Sequence, residues 1–399
     1  MSACQCSRRE NIFRAGRNWT VNQILQLIEA LRDRPVSSRA ELQEATGLSP
    51  ASISRALAQL RRDGLVSESA AADAGVGRPP QVVRFQPSAA HVIGIDAGGS
   101  RIRVLITDLE GNELARSAVR VRTTSRAIPL VRSIADVVER LVGDSNANPV
   151  SAAAGISGIV DAANGTVLLS PDLPGLNGSP VADLLSKELG MPAAVDNDDL
   201  LAAAGEAAFG AAKDCRDVVF LSLGLGLGAG LLVGGRPVRG ARSSAGAIAY
   251  FAPDRLEDRA SGRAIPRRYA DRVNERSAKP PRRTARRIFE LADAGDEIAR
   301  GVVVEALGAL TDLVVNVAAL LDPEVIVVGG GIARGRPTLV GDLAERVRET
   351  LPFPPRLVRS QLGEDVVARG AASLALTLGQ RRLAGVAVEP GRLGALEFV

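Results

Sequence analysis

The sequence predicts an α/β chain in two parts: a small helical module with a β-wing over the first ninety residues, then a body whose strands and helices alternate in two similar halves. Three observations carry this. Capping boxes and a Ser-Pro helix start crowd short helices into residues 20–62. From His91 onward apolar strand runs alternate with helical periods, and each half opens on a strand and a glycine turn. The charge is uneven: the 399-residue chain carries a net +4, and the 12 arginines and 8 acidic residues of positions 1–90 account for all of it.

Composition excludes several classes. Hydrophobic content of 46% with 24% charged residues describes a globular chain long enough for two or three cores. No run of about 20 apolar residues is present, so no transmembrane helix is expected. The start, MSACQCSRRENIF, has no apolar h-region, so a cytoplasmic protein without membrane contact is the expectation. Cys4, Cys6 and Cys215 form neither a disulfide framework nor a metal set. His91 is the only histidine; at a strand start it has a structural role, and no Ser-His-Asp triad is available without it.

In the module, Thr20-Val21-Asn22-Gln23 reads as a capping box, with Trp19 and Ile24 as a hydrophobic staple. The first helix then runs through Ile24, Leu25, Ile28 and Leu31 and ends before Pro35. Ser38-Arg39-Ala40-Glu41 opens a second helix that stops at Gly47, and Ser49-Pro50 opens a third that reaches Arg62. In this third helix Ile53, Leu57 and Leu60 face inward. Ala51, Ser52, Ser54, Arg55, Gln59 and Arg62 form the expected outer face; small residues allow close approach, and Arg55 has the reach for a guanine or a phosphate. Leu65–Glu68 and Gln81–Phe85 read as hairpin strands, with Arg78 at the tip placed for a phosphate or the minor groove. The sum is a winged helix-turn-helix with DNA as its expected partner.

The body opens on the strand His91–Asp96 and the turn Gly98-Gly99-Ser100. An aspartate and glycines there suit a phosphate on the turn, with Asp96 near a metal or an attacking oxygen; they are also ordinary turn residues. Asp196-Asn197-Asp198 ends another strand just ahead of a helix, where an aspartate serves as a general base or as a helix cap. The second half opens on strand Val218–Leu223 and a loop with glycine at 224, 226, 228 and 230, whose backbone N–H groups are open to an oxyanion. These glycines do not satisfy G-x-G-x-x-G, and no Walker lysine motif is present.

As a set, these motifs resemble the ROK family (repressors, open reading frames, kinases). They are the winged helix-turn-helix, Gly94-Ile-Asp-Ala-Gly-Gly-Ser-Arg101, Gly155-Ile-Ser-Gly-Ile-Val-Asp161, Pro171-Asp-Leu-Pro-Gly175, Asp196-Asn-Asp198, Leu223 to Gly230, and Leu321-Asp-Pro-Glu-Val-Ile-Val-Val-Gly-Gly-Gly331. The resemblance implies an actin-like (sugar-kinase/ribonuclease H-like) two-lobed domain over 89–399 behind a DNA-binding domain over 1–88. It also implies a homodimer or homotetramer and control of DNA binding by a sugar or sugar phosphate. It places Asp172, Asn197, Asp198 and Glu257 around the effector, and Asp96, Gly98, Gly99, Ser100, Gly224, Gly226 and Gly228 in a remnant nucleotide loop.

Departures from the family pattern bear on catalysis. Leu225 stands where the kinases have a hydroxyl, and Asp172 where an asparagine is usual. Ala247-Ile248-Ala249-Tyr250 replaces the Glu-x-Gly-His that binds sugar and zinc, and the segment after it has no cysteine. Each lost hydrogen bond is worth about 0.5–1.5 kcal/mol. The expectation is a repressor on a partly palindromic operator, without zinc, with a catalytically silent cleft and no resident cofactor; the alternative is an ATP-dependent sugar kinase carrying a DNA-binding domain.

Overall fold

Ser38 and Ser49 start the two helices that define the front of the molecule. In this computed structural model, which describes residues 22–70, 81–99, 101–120, 126–251, 255–273 and 284–385, helix α1 spans 22–33. Strand β1 (Val36–Ser38) leads into α2 (Arg39–Thr46), whose capping box is complete: Glu41 N–H donates to Ser38 Oγ at 3.2 Å, and Ser38 N–H to Glu41 Oε2 at 2.6 Å. Gly47, at φ +66°, turns the chain as a left-handed cap that other residues rarely adopt. Ser49 then caps α3 (Pro50–Arg62), with Pro50 in the first turn. Strands β2 (Val66–Ala70) and β3 (Gln81–Phe85) complete the wing, and β1 adds to β3 as a third strand. Three residues between two helix signals carry too little alternation for β1 to be read from sequence. Of the first capping box only Asn22 and Gln23 fall within the described residues; Trp19, Arg78 and Ser100 lie outside them.

A short turn, Pro87–Ala89, connects to the first lobe: β4 (His91–Ala97), β5 (Arg101–Asp108), β6 (Glu113–Arg120), α4 (Ala127–Ser145), β7 (Pro149–Ile156), the hairpin β8 (Ile159–Asp161) and β9 (Thr166–Leu169), α5 (Val181–Leu189), β10 (Ala193–Asn197) and α6 (Asp198–Phe209). The second lobe holds β11 (Val218–Leu223), β12 (Leu227–Val233), β13 (Arg236–Pro237), α7 (Leu256–Ala260), α8 (Ala264–Val273), α9 (Ala285–Asp293), α10 (Glu297–Leu321), β14 (Val325–Gly329), α11 (Gly330–Gly335), α12 (Leu339–Thr350), β15 (Arg356–Arg359) and α13 (Val366–Leu383). The sheets, in order β10-β7-β4-β5-β6 and β13-β12-β11-β14-β15, share one topology. Each has an antiparallel meander on one side and two parallel strands on the other. The twofold scheme of the sequence is thus a twofold scheme of sheets.

Helix α10 is 25 residues long. Among the described residues it alone is long and apolar enough to cross a membrane, yet most of it is buried as the core helix of the second lobe.

Helices α6 and α13 lie between the two sheets, and α13 returns from the second lobe to pack on β4 and β7 of the first. Glycines make this possible. A Cβ at Gly370 would overlap the Leu201 carbonyl, and one at Gly94 the Ala368 carbonyl. Ser151 Oγ donates to Ala375 O at 2.6 Å, fixing the register of α13 on β7. The C-terminal half of α13 shares one apolar cluster with the front module: Leu374, Leu376 and Leu378 pack in it with Ile24, Leu27, Leu57 and Leu60. The module and the first lobe therefore have a common core.

Two of the ion pairs between the lobes differ sharply in burial. Arg239 binds Asp196 through Nη2 at 2.6 Å and Nε at 3.2 Å, with Asp196 1% exposed. Arg263 meets Asp172 at 2.7 Å, but both side chains are more than a third exposed. Breaking a buried pair costs about 3–5 kcal/mol, an exposed one about 0–1 kcal/mol. Asp196→Ala should therefore lower the thermal unfolding midpoint clearly, and Asp172→Ala hardly at all. Equal midpoints for the two variants would contradict this ordering.

Candidate nucleic-acid interface and effector cleft

The outward face of α3 is narrower than its sequence suggests. Ala51, Ser54, Arg55, Ala58, Arg61 and Arg62 are exposed. Ser52 is not: it is 1% exposed, its N–H donates to Ser49 Oγ at 3.2 Å, and its hydroxyl accepts from Ser49 Oγ at 3.0 Å. Its expected place on the DNA face is corrected, because the cap draws the first turn inward. Gln59 is half-buried, its Nε2 a long 3.5 Å from Leu383 O at the end of α13, so it faces the body of the protein. Arg55 and Arg62 lie along the helix, Nε donating to the carbonyls of Ala51 and Ala58, and neither has an ion pair among the described residues. Arg39, which sequence reasoning passed over, joins this face: it donates to Ser54 Oγ at 3.0 Å and pairs with Glu68 at 2.7 Å. Only its place at the first position of α2 could have pointed to it.

The second feature is a cleft of about 840 Å³ between the lobes. It brings together Asp172, Asn197, Asp198, Glu257, Gly224, Gly226 and Gly228, residues up to 85 positions apart on four stretches of chain. Asn197 caps α6 through Oδ1, which accepts from Leu200 N at 2.9 Å, while its Nδ2 donates to Gly158 O and to Asp198 Oδ1. Asp198 therefore sits in the first turn of α6 rather than ahead of the helix, where the sequence reading places it. Asp199 was missed; the doubled aspartate was its only signal. It packs beneath the glycine loop so closely that a Cβ at Gly228 would collide with its carboxylate. Glu257 reaches the same loop, where a Cβ at Gly226 would sit 2.6 Å from Oε1. Leu225, at the loop tip, is 66% exposed and lines the cleft with Tyr250, over whose ring Arg255 is stacked at 5.2 Å.

Asp96, Gly98 and Gly99 do not line the cleft; Asp96 lies behind Arg103, which does, and its Oδ2 accepts from Arg103 Nη1 at 3.0 Å. Burial outweighs this ion pair and lifts the Asp96 carboxyl to about 6. Burial likewise lifts Asp199 to about 6, and it raises Asp198 well above the carboxylate range, helped by the charges of Asp199 and Asp96. Between pH 4 and 6 these groups hold protons that the unfolded chain has released. The folded state binds more protons, so stability falls as pH rises through this window. Chemical denaturation should show greater stability at pH 5 than at pH 7, and Asp199→Asn should flatten that slope. An unchanged slope in the variant would exclude the pair as its source.

Residues 92–378 match the ROK family model, and residues 22–67 a model for winged helix-turn-helix DNA-binding domains. The chain belongs to the ROK family. Over 359 residues it is 25% identical to the xylose repressor of Caldicellulosiruptor bescii, covering 83% of this chain and 87% of that one. It is 30% identical over 318 residues to a glucokinase of Streptomyces coelicolor, covering 71% and 96%. A solved ROK family transcriptional regulator, a homologue of the E. coli MLC protein, superposes with a TM-score of 0.76 at 22% identity, over 92% of this chain and 98% of that one. A ROK glucokinase from Streptomyces griseus, solved with glucose and AMPPNP, superposes at 0.61 with 26% identity, over 72% and 99%. The regulator's 92% extends into the first ninety residues, whereas the glucokinases match little more than the length of the ROK domain. With its winged helix, this ROK chain is a DNA-binding transcriptional regulator of the repressor type.

Proposed function

We propose that this repressor binds a partly palindromic operator as a homodimer or homotetramer and is controlled by a sugar or related metabolite, held in the cleft without being phosphorylated. The observation that carries the reading is the shared core: the helix α13 that packs on α6, whose Asp198 and Asp199 line the cleft, also seats the recognition helix. Ligand-dependent movement of one lobe then changes the orientation of α3, and half-sites about 34–36 Å apart are sensitive to a few ångströms. The relatives named xylose repressor support a sugar as the effector class.

Several side chains favour sensing over catalysis. The family's zinc ligands correspond to Ala247–Tyr250, no cysteine lies between 245 and 257, and His91 is on β4; these residues do not fit a zinc ion. Positioning dominates phosphoryl transfer. Leu225 offers no hydroxyl to a phosphate, Glu257 sets a carboxylate against the glycine loop, and Arg103 occupies Asp96. Asp198, at the position of the family's base, favours the kinase alternative and gives it a test. Coupled ADP release should show no hexose- or amino-sugar-dependent turnover. Turnover that disappears in Asp198→Asn would make the protein a kinase.

A further inference from the structure

At the cleft, three guanidinium groups converge on one carboxylate. Glu364 Oε2 accepts from Arg103 Nη2 at 2.6 Å and from Arg101 Nη1 at 3.1 Å, and Arg334 Nη2 lies 3.5 Å from Oε1. Arg101 and Arg103 come from β5 of the first lobe, Arg334 from α11 of the second. Arg103 and Arg334 line the cleft, and Glu364 sits on the turn Gly363–Asp365, directly before α13.

We infer that Glu364 is an internal stand-in for a dianionic phosphate of the effector, and that Arg101, Arg103 and Arg334 form the site which that phosphate takes over. The inference rests on the cleft being the effector site. Charge and geometry argue for it. One carboxylate and the partial share of Asp96 face three full positive charges, and planar guanidinium donors match the several oxygens of a phosphate better than the two of a carboxylate. Arg103 is preorganised: its side chain is 15% exposed and held from behind by Asp96. Glu364 is 49% exposed, so its bonds exchange with solvent at little cost. Its place gives the exchange a consequence. Once released, Glu364 no longer ties the head of α13 to both lobes, and the far end of α13 seats the DNA-binding module.

The full-length protein on its promoter DNA tests this, with inorganic phosphate, glucose 6-phosphate and glucose as probes, binding followed by calorimetry and operator release by fluorescence anisotropy. Glu364→Gln should bind inorganic phosphate about tenfold tighter than the parent, and Arg334→Gln about tenfold weaker, both at exposed positions where the fold is checked by circular dichroism. Release by inorganic phosphate identifies the free anion as the ligand; release by glucose 6-phosphate alone identifies an ester. Equal phosphate affinity in parent and both variants overturns the inference. So does operator release by glucose with no binding of either phosphate, which leaves the sensor reading standing. A parent without promoter preference removes the sensor reading itself.

Discussion

Arg55→Ala is expected to weaken promoter binding by about 1–3 kcal/mol for each half-site engaged, or roughly 5- to 150-fold per contact. Arg55 is the one long cationic side chain in the first half of α3, and its neighbours Ala51 and Ser54 let the helix approach the groove closely. No carboxylate pairs with it among the described residues. If it reads a base, the loss will be greater for the promoter than for random DNA. If it holds a phosphate, the loss will be uniform and the salt dependence will fall by about one ion. Ser52→Ala serves as the contrast: Ser52 is buried in the cap, so the variant should lose stability while keeping its sequence preference. Competition anisotropy at two salt concentrations separates these outcomes, and a promoter-to-random ratio moved more by Ser52→Ala than by Arg55→Ala would contradict the placement of α3.

Gly370→Val is expected to have the largest effect on stability, above about 4 kcal/mol, because a side chain there has nowhere to go. Its Cβ would meet the backbone carbonyl of Leu201, which the rest of α6 fixes in place, and Gly205 faces the same contact from the other side. Loss of this seat should expose the core shared by α13 and the front module, so operator binding and thermal stability should fall together. Gly341→Val, on α12 with nothing near its Cβ, should be neutral or slightly stabilising, because valine has the higher helix propensity. Differential scanning fluorimetry orders the two, and a reversed order would disprove the glycine contact as the reason for the α6–α13 packing.

Much of this architecture is legible in the sequence because local chemistry fixes it. Ser38, Gly47, Ser49 and Pro50 bound α2 and α3 where the capping rules put them. Apolar runs and glycine turns place β4, β11 and the end of β10 within one or two residues. The sheet pairing is the spatial form of the repeat. What was not legible depends on distant partners. Nothing near Gln59 reveals that it meets Leu383, more than 300 residues away; Ser52 is the exception, since its partner is the cap residue Ser49, three residues back. Asp199 reads as one more acidic residue until the glycine at 228 is seen closing over it. Glu364, in an undistinguished turn, gains its meaning from arginines on two lobes.

The central claim is that a small molecule in the cleft controls the grip of α3 on DNA through α13. Its most direct test is fluorescence anisotropy of the full-length protein on its own promoter, at moderate salt, with a panel of sugars and sugar phosphates. Tight binding that favours the promoter over random DNA, reversed by one member of the panel at a concentration that also raises the melting temperature, is the expected result. Equal affinity for promoter and random DNA, or promoter binding that a tightly bound cleft ligand leaves unchanged, would contradict it.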